Sequence, residues 1–179
     1  MRDVELLIPA SNLEVLKVAV LYGADAVYIG GEMYGLRAKA KNFSMEDVKE
    51  GIEFAHKHGV KVYITANIVA HNEDLEGIRK YFEELKEIKP DALIISDPGV
   101  FMIAKEVCPD IDRHISTQAN STTMQHTSSG MIRERAVSYL QENYLWKRSK
   151  IFVLISQMIW KSNHLFMVLC VSLIPEDAC

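Results

Sequence analysis

The sequence predicts an α/β fold of alternating strands and helices, arranged as an incomplete TIM-type barrel. Three observations lead to this prediction. First, five short runs before residue 120 are apolar or alternate between apolar and polar residues. Second, helical stretches with start and stop signals separate these runs. Third, two of the runs are polar on one face. A closed barrel typically uses about 250 residues. Because the chain has 179, we expect about five of the eight strands.

The five predicted strands are short and separated by helical stretches, so we expect them to pair in parallel through right-handed crossovers. Their β-branched and aromatic residues favour extended backbone. In chain order they cover residues 4–8, 25–30, 61–67, 92–96 and 112–117.

The helices between these strands carry recognisable start and stop signals. Ser11 with Glu14, and Ser44 with Asp47, have the spacing of a capping box, and a glycine follows each of these two helices. The third helix is indicated by an apolar stripe within 75–88 and is ended by a proline. A short fourth helix runs to about Val107 and precedes the last strand.

The two faces of the strands favour a barrel over an open doubly wound sheet. Open parallel sheets are covered by helices on both faces and are usually apolar on both. Here the third and fifth strands each have a polar face, which suits the lumen of a barrel near its catalytic mouth. The residues of these polar faces are Tyr63, Thr65, Asn67, His114, Ser116 and Gln118.

Barrel enzymes assemble their sites at the carboxyl ends of the strands, which selects two sets of candidate residues. The predicted catalytic residues are Asp97, Gln118 and Asn120. The predicted substrate-binding residues are Glu32, Arg37, Asn67 and His71. Each has a structural alternative: Asp97 precedes Pro-Gly and can cap a helix, the amides of Gln118 and Asn120 can cap strand ends, and Arg37 can lie on the surface. No metal site is expected.

The composition changes near residue 120. Residues 1–120 contain 20 acidic and 14 basic residues, whereas 121–179 contain 4 and 6, together with both tryptophans. We therefore divide the chain into a βα-repeat region, 1–120, and an atypical tail, 121–179, which we expect not to continue the barrel. Polar residues including Lys161 interrupt the apolar stretch of the tail, so no membrane span is expected.

The overall charge and the cysteines limit the possible environments and partners. The net charge of −4 gives no indication of a basic surface for nucleic acid. The three cysteines show no disulfide pattern, which indicates a reducing, cytoplasmic setting.

Several segments in combination resemble the opening of the collagenase-like peptidase family U32, over about residues 3–120. These segments are Glu5-Leu-Leu-Ile-Pro-Ala-Ser-Asn-Leu-Glu14, Gly23-Ala-Asp-Ala-Val-Tyr-Ile-Gly-Gly-Glu32, Gly35-Leu-Arg-Ala38, Val69-Ala-His-Asn-Glu-Asp-Leu75, Ile94-Ile-Ser-Asp-Pro-Gly99 and Ser116-Thr-Gln-Ala-Asn120. The resemblance implies a bacterial or archaeal cytoplasmic protein with a barrel-like region. By the family label it implies proteolysis, with hydroxylation of tRNA or rRNA in the same family as the alternative. The substrate, peptide or RNA, stays open.

The resemblance also implies an iron–sulfur cluster in many full-length members, bound by cysteines beyond the matched region. The motif that carries those cysteines is absent here as written. We explain the missing motif by a shift of the reading frame after about residue 123. Codons that encode the tail residues can, when read in another frame, encode His-Gly-Ala-Met-Cys followed by a second cysteine. On this hypothesis the chain is a truncated product without turnover. We expect it to be marginally stable and to self-associate through open sheet edges.

We therefore predict that the 179-residue chain binds no iron–sulfur cluster, because only Cys108 precedes the tail and such clusters usually need four thiolates. The measurement is anaerobic reconstitution followed by assay of iron and sulfide. A version with the frame restored and extended is the matched control. Stoichiometric iron and sulfide with a visible absorption band in the 179-residue chain would contradict the prediction.

Overall fold

A computed structural model of the chain describes residues 5–31, 34 and 43–119. Five strands form one parallel sheet in the order β1-β2-β3-β4-β5. The strands are β1 (Leu7–Pro9), β2 (Ala26–Gly30), β3 (Lys61–Ala66), β4 (Ala92–Ile95) and β5 (Asp112–Ile115). The helices between them are α1 (Leu13–Leu21), α2 (Met45–Lys57), α3 (Leu75–Ile88) and α4 (Pro98–Val107). The predicted alternation of strands and helices is confirmed.

The order of the strands distinguishes a barrel from a doubly wound sheet. A doubly wound sheet reverses its strand order at a switch point, whereas here each strand pairs with the next along the chain. Right-handed crossovers between strands that advance in one direction place every helix on the same face of the sheet. The structure is therefore the strand-and-helix progression of an incomplete TIM-type barrel, as predicted.

The side chains confirm that the helices cover one face only. The larger apolar core joins the helices to alternate strand residues: Val27, Ile29, Val62, Ile64, Leu93, Ile95 and Ile115. We call this helix-covered side the outer face. A second, smaller cluster of Ala26, Tyr63, Ala92 and Ile94, with Leu7 and Tyr28 against it, lies on the opposite side, which we call the inner face. Of the predicted polar faces, Tyr63 and Thr65 of the third strand and His114 of the fifth lie on this inner face.

The ends of the helices follow local sequence signals, with one exception. Ser44 and Asp47 form the predicted capping box of α2, and the glycines after α1 and α2 adopt positive φ angles of 93° and 72°. The box predicted from Ser11 and Glu14 is wrong. Asn12 caps α1 instead, where its Oδ1 accepts a hydrogen bond of 2.8 Å from the Val15 amide, because asparagine is as strong a cap as serine and lies one residue closer to the helix.

The first and last strands differ from their predicted limits. β1 covers Leu7–Pro9, so it begins later than the predicted strand over 4–8 and includes Pro9, which follows the predicted end; Glu5 and Leu6 are described and lie outside it. The Ala10 amide donates a hydrogen bond to the Tyr28 carbonyl of β2. Because alternate residues of a strand donate to the same neighbour, the nitrogen of Pro9 points away from β2, and its lack of a hydrogen costs no bond there. β5 ends at Ile115, and a 3-10 helix over Thr117–Ala119 follows. Gln118 therefore lies in this turn and does not share the strand face predicted for it.

The inner face contains a chain of contacts that begins at its amino end. Glu5 accepts a hydrogen bond of 2.7 Å from the Tyr63 hydroxyl and one of 2.8 Å from Lys61 Nζ. The Tyr63 ring meets the His114 ring edge-on, with 4.7 Å between ring centroids. Burial, with a smaller contribution from the Lys61 charge, lowers the pKa of His114 to about 4. His114 is therefore a neutral imidazole at neutral pH.

This pKa predicts that the folded chain loses stability in mild acid. The His114 pKa is about 4 in the folded state, against an ordinary value of 6.5, so between these values the unfolded state binds more protons. The free energy of unfolding should fall as the pH drops through this window, by up to about 3 kcal/mol. Urea unfolding across the window measures the change. The variant His114→Gln should remove it, and an unchanged pH dependence in that variant would contradict the assignment to His114.

Candidate active site at the carboxyl edge of the sheet

Three polar side chains follow β3, β4 and β5 at the carboxyl edge of the sheet. Ala66 pairs with Ile95, and Ile95 pairs with Ile115, so the next residues, Asn67, Ser96 and Ser116, stand at one level. Neighbouring strands are about 4.8 Å apart. Since the three paired residues face the helices, their successors face inward. We call Asn67, Ser96 and Ser116 the polar row.

Hydrogen bonds to the backbone hold the two serines of the polar row. The Ser116 amide donates 2.8 Å to the Ile95 carbonyl, which continues the strand ladder by one residue. Ser116 is buried, and its Oγ accepts a hydrogen bond of 3.3 Å from the Gln118 amide. The Ser96 hydroxyl donates to the Ile68 carbonyl over 3.4 Å. The serines therefore tie the first residues of two loops to the sheet, beside the half-buried Asn67.

The level below the polar row is formed by the last inward residues of the strands. Gly30, Thr65, Ile94 and His114 lie in register across β2 to β5. The Thr65 hydroxyl donates to the Ile29 carbonyl over 3.2 Å. The two levels therefore carry neutral hydroxyl, amide and imidazole groups, which are donors and acceptors without charge.

The predicted catalytic residues are only partly placed at this edge. Asp97 stands after the polar row as the cap of α4, where its Oδ1 accepts a hydrogen bond of 2.9 Å from the Val100 amide. Gln118 is exposed in the 3-10 turn. Asn120 lies outside the described residues. The structural alternative for Asp97, helix capping, is the role that the geometry shows.

The predicted substrate-binding residues divide in the same way. Asn67 belongs to the polar row. His71 is exposed in the loop after β3, where its amide donates 2.8 Å to Asp74. Glu32 and Arg37 lie outside the described residues. The sequence placed Ser116 on the polar face but did not predict Ser96 or Ser116 as site residues, although the alternation that points to Asn67 applies equally to the residue after each strand.

The exit of β2 is shaped by close packing against α3. Gly31 has no room for a Cβ atom, because the hydroxyl of Tyr81 occupies that place. Tyr81 is buried, burial raises the pKa of its phenol, and the ring of Tyr34 lies 5.3 Å from its own. A glycine at this position lets the chain leave the strand directly over α3.

The cysteine within the described region does not fit a cluster ligand at this edge. Cys108 caps the carboxyl end of α4, and its thiol donates 3.2 Å to the Ala104 carbonyl. Burial raises the pKa of this thiol to about 11, so it stays protonated, as expected for an inert core cysteine. Across residues 5–31, 34 and 43–119, no three His, Cys, Asp or Glu side chains are grouped to hold a metal ion. No helix in those same ranges is long and apolar enough to cross a membrane.

The cap geometry predicts that Asp97 contributes to stability through its oxygen and not through its charge. Asp97→Ala should lower the free energy of unfolding by about 1 kcal/mol, whereas Asp97→Asn should change it by only a few tenths, because asparagine caps equally well. Urea unfolding provides the measurement, with the exposed Asp110→Ala as the matched control. If Asp97→Asn destabilises as much as Asp97→Ala, the role of the cap is wrong.

Known proteins resemble the chain over this same region. The chain is 50% identical over 114 residues to tRNA hydroxylation protein P1 of Bacillus subtilis, which covers 64% of this chain and 27% of the relative. It is 39% identical over 121 residues to the 23S rRNA 5-hydroxycytidine C2501 synthase of Escherichia coli, covering 68% and 18%. An uncharacterized protease of Methanocaldococcus jannaschii is 42% identical over 119 residues, covering 66% and 29%. The chain thus spans less than a third of the length of these relatives.

A solved structure and a family match agree with the fold. The structure of the U32 peptidase Mk0906 superposes with a TM-score of 0.62 at 14% identity, covering 76% of this chain and 58% of that one; at that identity the likeness concerns the fold alone. Peptidase family U32 matches residues 11–135, which include the polar row and more than half of the chain. The chain therefore belongs to Peptidase family U32.

Proposed function

We propose that the chain is the barrel segment of an RNA-hydroxylating protein of this family, with tRNA as its substrate. The observation that carries the proposal is the 50% identity with a protein named for tRNA hydroxylation. An rRNA 5-hydroxycytidine synthase is also 39% identical, so the related chemistry extends to a second RNA. These relatives support hydroxylation of RNA better than proteolysis.

Proteolysis is the second candidate, and it rests on the family name and on the 42% identity with an uncharacterized protease. The site itself favours RNA hydroxylation over proteolysis. Asp97, the only carboxylate among the predicted catalytic residues, is used as a helix cap. The neutral amide and hydroxyls of the polar row match the hydrogen-bonding edge of a nucleobase.

The charge of the segment bears on how RNA would be held. Residues 1–120 carry six more acidic than basic residues, and the electrostatic affinity for RNA phosphates comes from Lys and Arg. We propose that other parts of the longer protein bind the RNA backbone, whereas this segment receives the target nucleotide. The cytoplasm is the setting proposed for this activity. The cysteine ligands of an iron–sulfur cluster would come from outside the described residues, since Cys108 is a protonated core thiol.

A chimera tests the proposed function. The matched segment of tRNA hydroxylation protein P1 is replaced by the corresponding residues of this chain, and the product is expressed in a Bacillus subtilis strain that lacks proteins P1 and P2. We expect tRNA nucleosides that gain one oxygen, detected by mass spectrometry. Asn67→Ala in the chimera should lower that product about tenfold, the usual effect of removing one essential hydrogen bond.

Two controls make the result specific. The exposed Asn12→Ser, which keeps the cap of α1, should leave the product unchanged. A second chimera, with the matched segment of the Methanocaldococcus jannaschii protease, shows what the common fold alone supports. The proposal fails if the folded chimera produces no hydroxylated tRNA, or if the protease segment supports as much product as this chain.

A further inference from the structure

The first helix carries most of the exposed apolar surface of the described region. Within residues 5–31, 34 and 43–119, seven large apolar side chains are exposed, and five of them lie on α1, at its C-cap or directly before β1. By contrast, every exposed position of α3 is Glu or Lys. A cluster of exposed apolar residues marks a surface that another element covers. The five residues are Leu6, Val15, Val18, Leu21 and Tyr22.

The contacts between α1 and α2 show which side of α1 is already covered. Lys17 Nζ binds Glu50 of α2 at 2.6 Å and lies 5.7 Å from the centre of the Phe54 ring. Three of the exposed residues follow the spacing i, i+3, i+7 of one helix face, and the helical period turns that face away from Lys17. We call these residues the α1 flank: Val15, Val18 and Tyr22.

The same edge of the sheet carries an open side of β1. Among the described strands, β1 pairs with β2 alone. The Leu6 carbonyl and the Ala10 amide bond to β2, so alternation directs both backbone groups of Leu7 and the carbonyl of Pro9 to the other side. A further parallel strand would find one donor and two acceptors there.

The position of α1 in the fold indicates what covers its flank. In a closed barrel of eight units, the last strand pairs with the first and the last helix lies beside the first. The described residues supply five strands and four helices. The match to tRNA hydroxylation protein P1 covers 27% of that relative, and three further units of about 30 residues each fit easily within the rest.

The size of the α1 flank distinguishes this occupant from a second copy of the chain. A stable interface between two chains uses about 20 to 30 residues on each side, whereas the flank offers three and β1 is a short strand. A contact within one polypeptide avoids the loss of freedom that two separate chains suffer when they associate. The flank therefore suits a helix of the same polypeptide.

We propose that the α1 flank and the open side of β1 form the closing interface of the barrel, and that the last strand–helix unit of the longer protein occupies it. The inference rests on the proposed function only for the existence of that longer protein, and not for the reaction. Val15 and Val18 offer no hydrogen-bonding group, so the occupying helix presents aliphatic side chains to them. Pairing with β1 fixes the level at which that helix lies.

Thiol labelling tests the interface in two proteins, the full 179-residue chain and the chimera with protein P1. Val18→Cys is introduced into each, and mass spectrometry of the peptide that contains position 18 measures the rate of reaction with N-ethylmaleimide. We expect this rate to be at least about tenfold lower in the chimera, because the occupant covers position 18 there. Leu21→Cys is the matched control. Leu21 is exposed on the same helix but lies four residues after Lys17, toward α2, so its rate should be equal in both proteins.

Val18→Asp provides a second measurement that does not use a thiol. An unpaired carboxylate is costly to bury, so this variant should lower the Tm of the chimera by at least about 5 °C more than that of the 179-residue chain. Leu21→Asp should lower both Tm values equally, because it affects only the helix propensity of α1. If Val18→Asp prevents the chimera from folding, the labelling of Val18→Cys still decides the question.

Three outcomes would overturn the inference. The first is an equal labelling rate of Val18→Cys in the two proteins. The second is protection in the 179-residue chain that grows when its concentration is raised about a hundredfold, which identifies a second copy as the occupant. The third is protection of the chimera that requires added tRNA.

Failure of this inference is distinguishable from failure of the proposed function. A chimera that hydroxylates tRNA while position 18 reacts freely overturns only the closing interface. A chimera whose position 18 is protected but which yields no hydroxylated tRNA overturns only the proposed function.

Discussion

One-sided packing of helices against the parallel sheet is the constraint on which the rest of the structure depends. Because the strands advance in one direction, every right-handed crossover returns over the same face. The apolar residues of α1 to α4 therefore need only one partner surface, and the outer face supplies it with valine, isoleucine and leucine. No described helix packs on the inner face, so its residues need not be apolar, and they include tyrosine, threonine and histidine.

The inner face is graded from its amino end to its carboxyl end. Glu5 is less than a quarter exposed and is bound by both Lys61 and Tyr63, which is the condition under which a carboxylate is tolerated away from water. The aromatic rings follow, and the neutral polar row completes the edge. The charges therefore lie at the amino end, where the residues of a barrel serve its stability. The neutral hydrogen-bonding groups lie at the carboxyl end, where barrel enzymes form their active sites.

Membership of a family named for peptidases does not by itself decide the reaction. A fold carries many chemistries, and the chemistry depends on the groups at the site. Here Asp97, the one carboxylate among the predicted catalytic residues, caps a helix, whereas the described polar row consists of neutral groups.

The sequence alone determined the features that depend on residues close together in the chain. The cap of Ser44 with Asp47, the glycines after α1 and α2, the alternating faces of β3 and the position of Asn67 all follow from spacings of four residues or fewer. The error at the start of α1, Ser11 in place of Asn12, came from choosing between adjacent residues that cap equally well. The family resemblance was likewise visible in short segments of the printed sequence.

Only the tertiary structure decided which distant residues meet. The polar row exists because the register aligns the ends of β3, β4 and β5, and a shift of one residue in any strand would turn its member to the other face. Glu5 and Tyr63 are 58 residues apart, and nothing local marks them as partners. Register and crossover geometry result from packing over the whole sheet, and for that reason the contacts around His114 could not be predicted from the sequence.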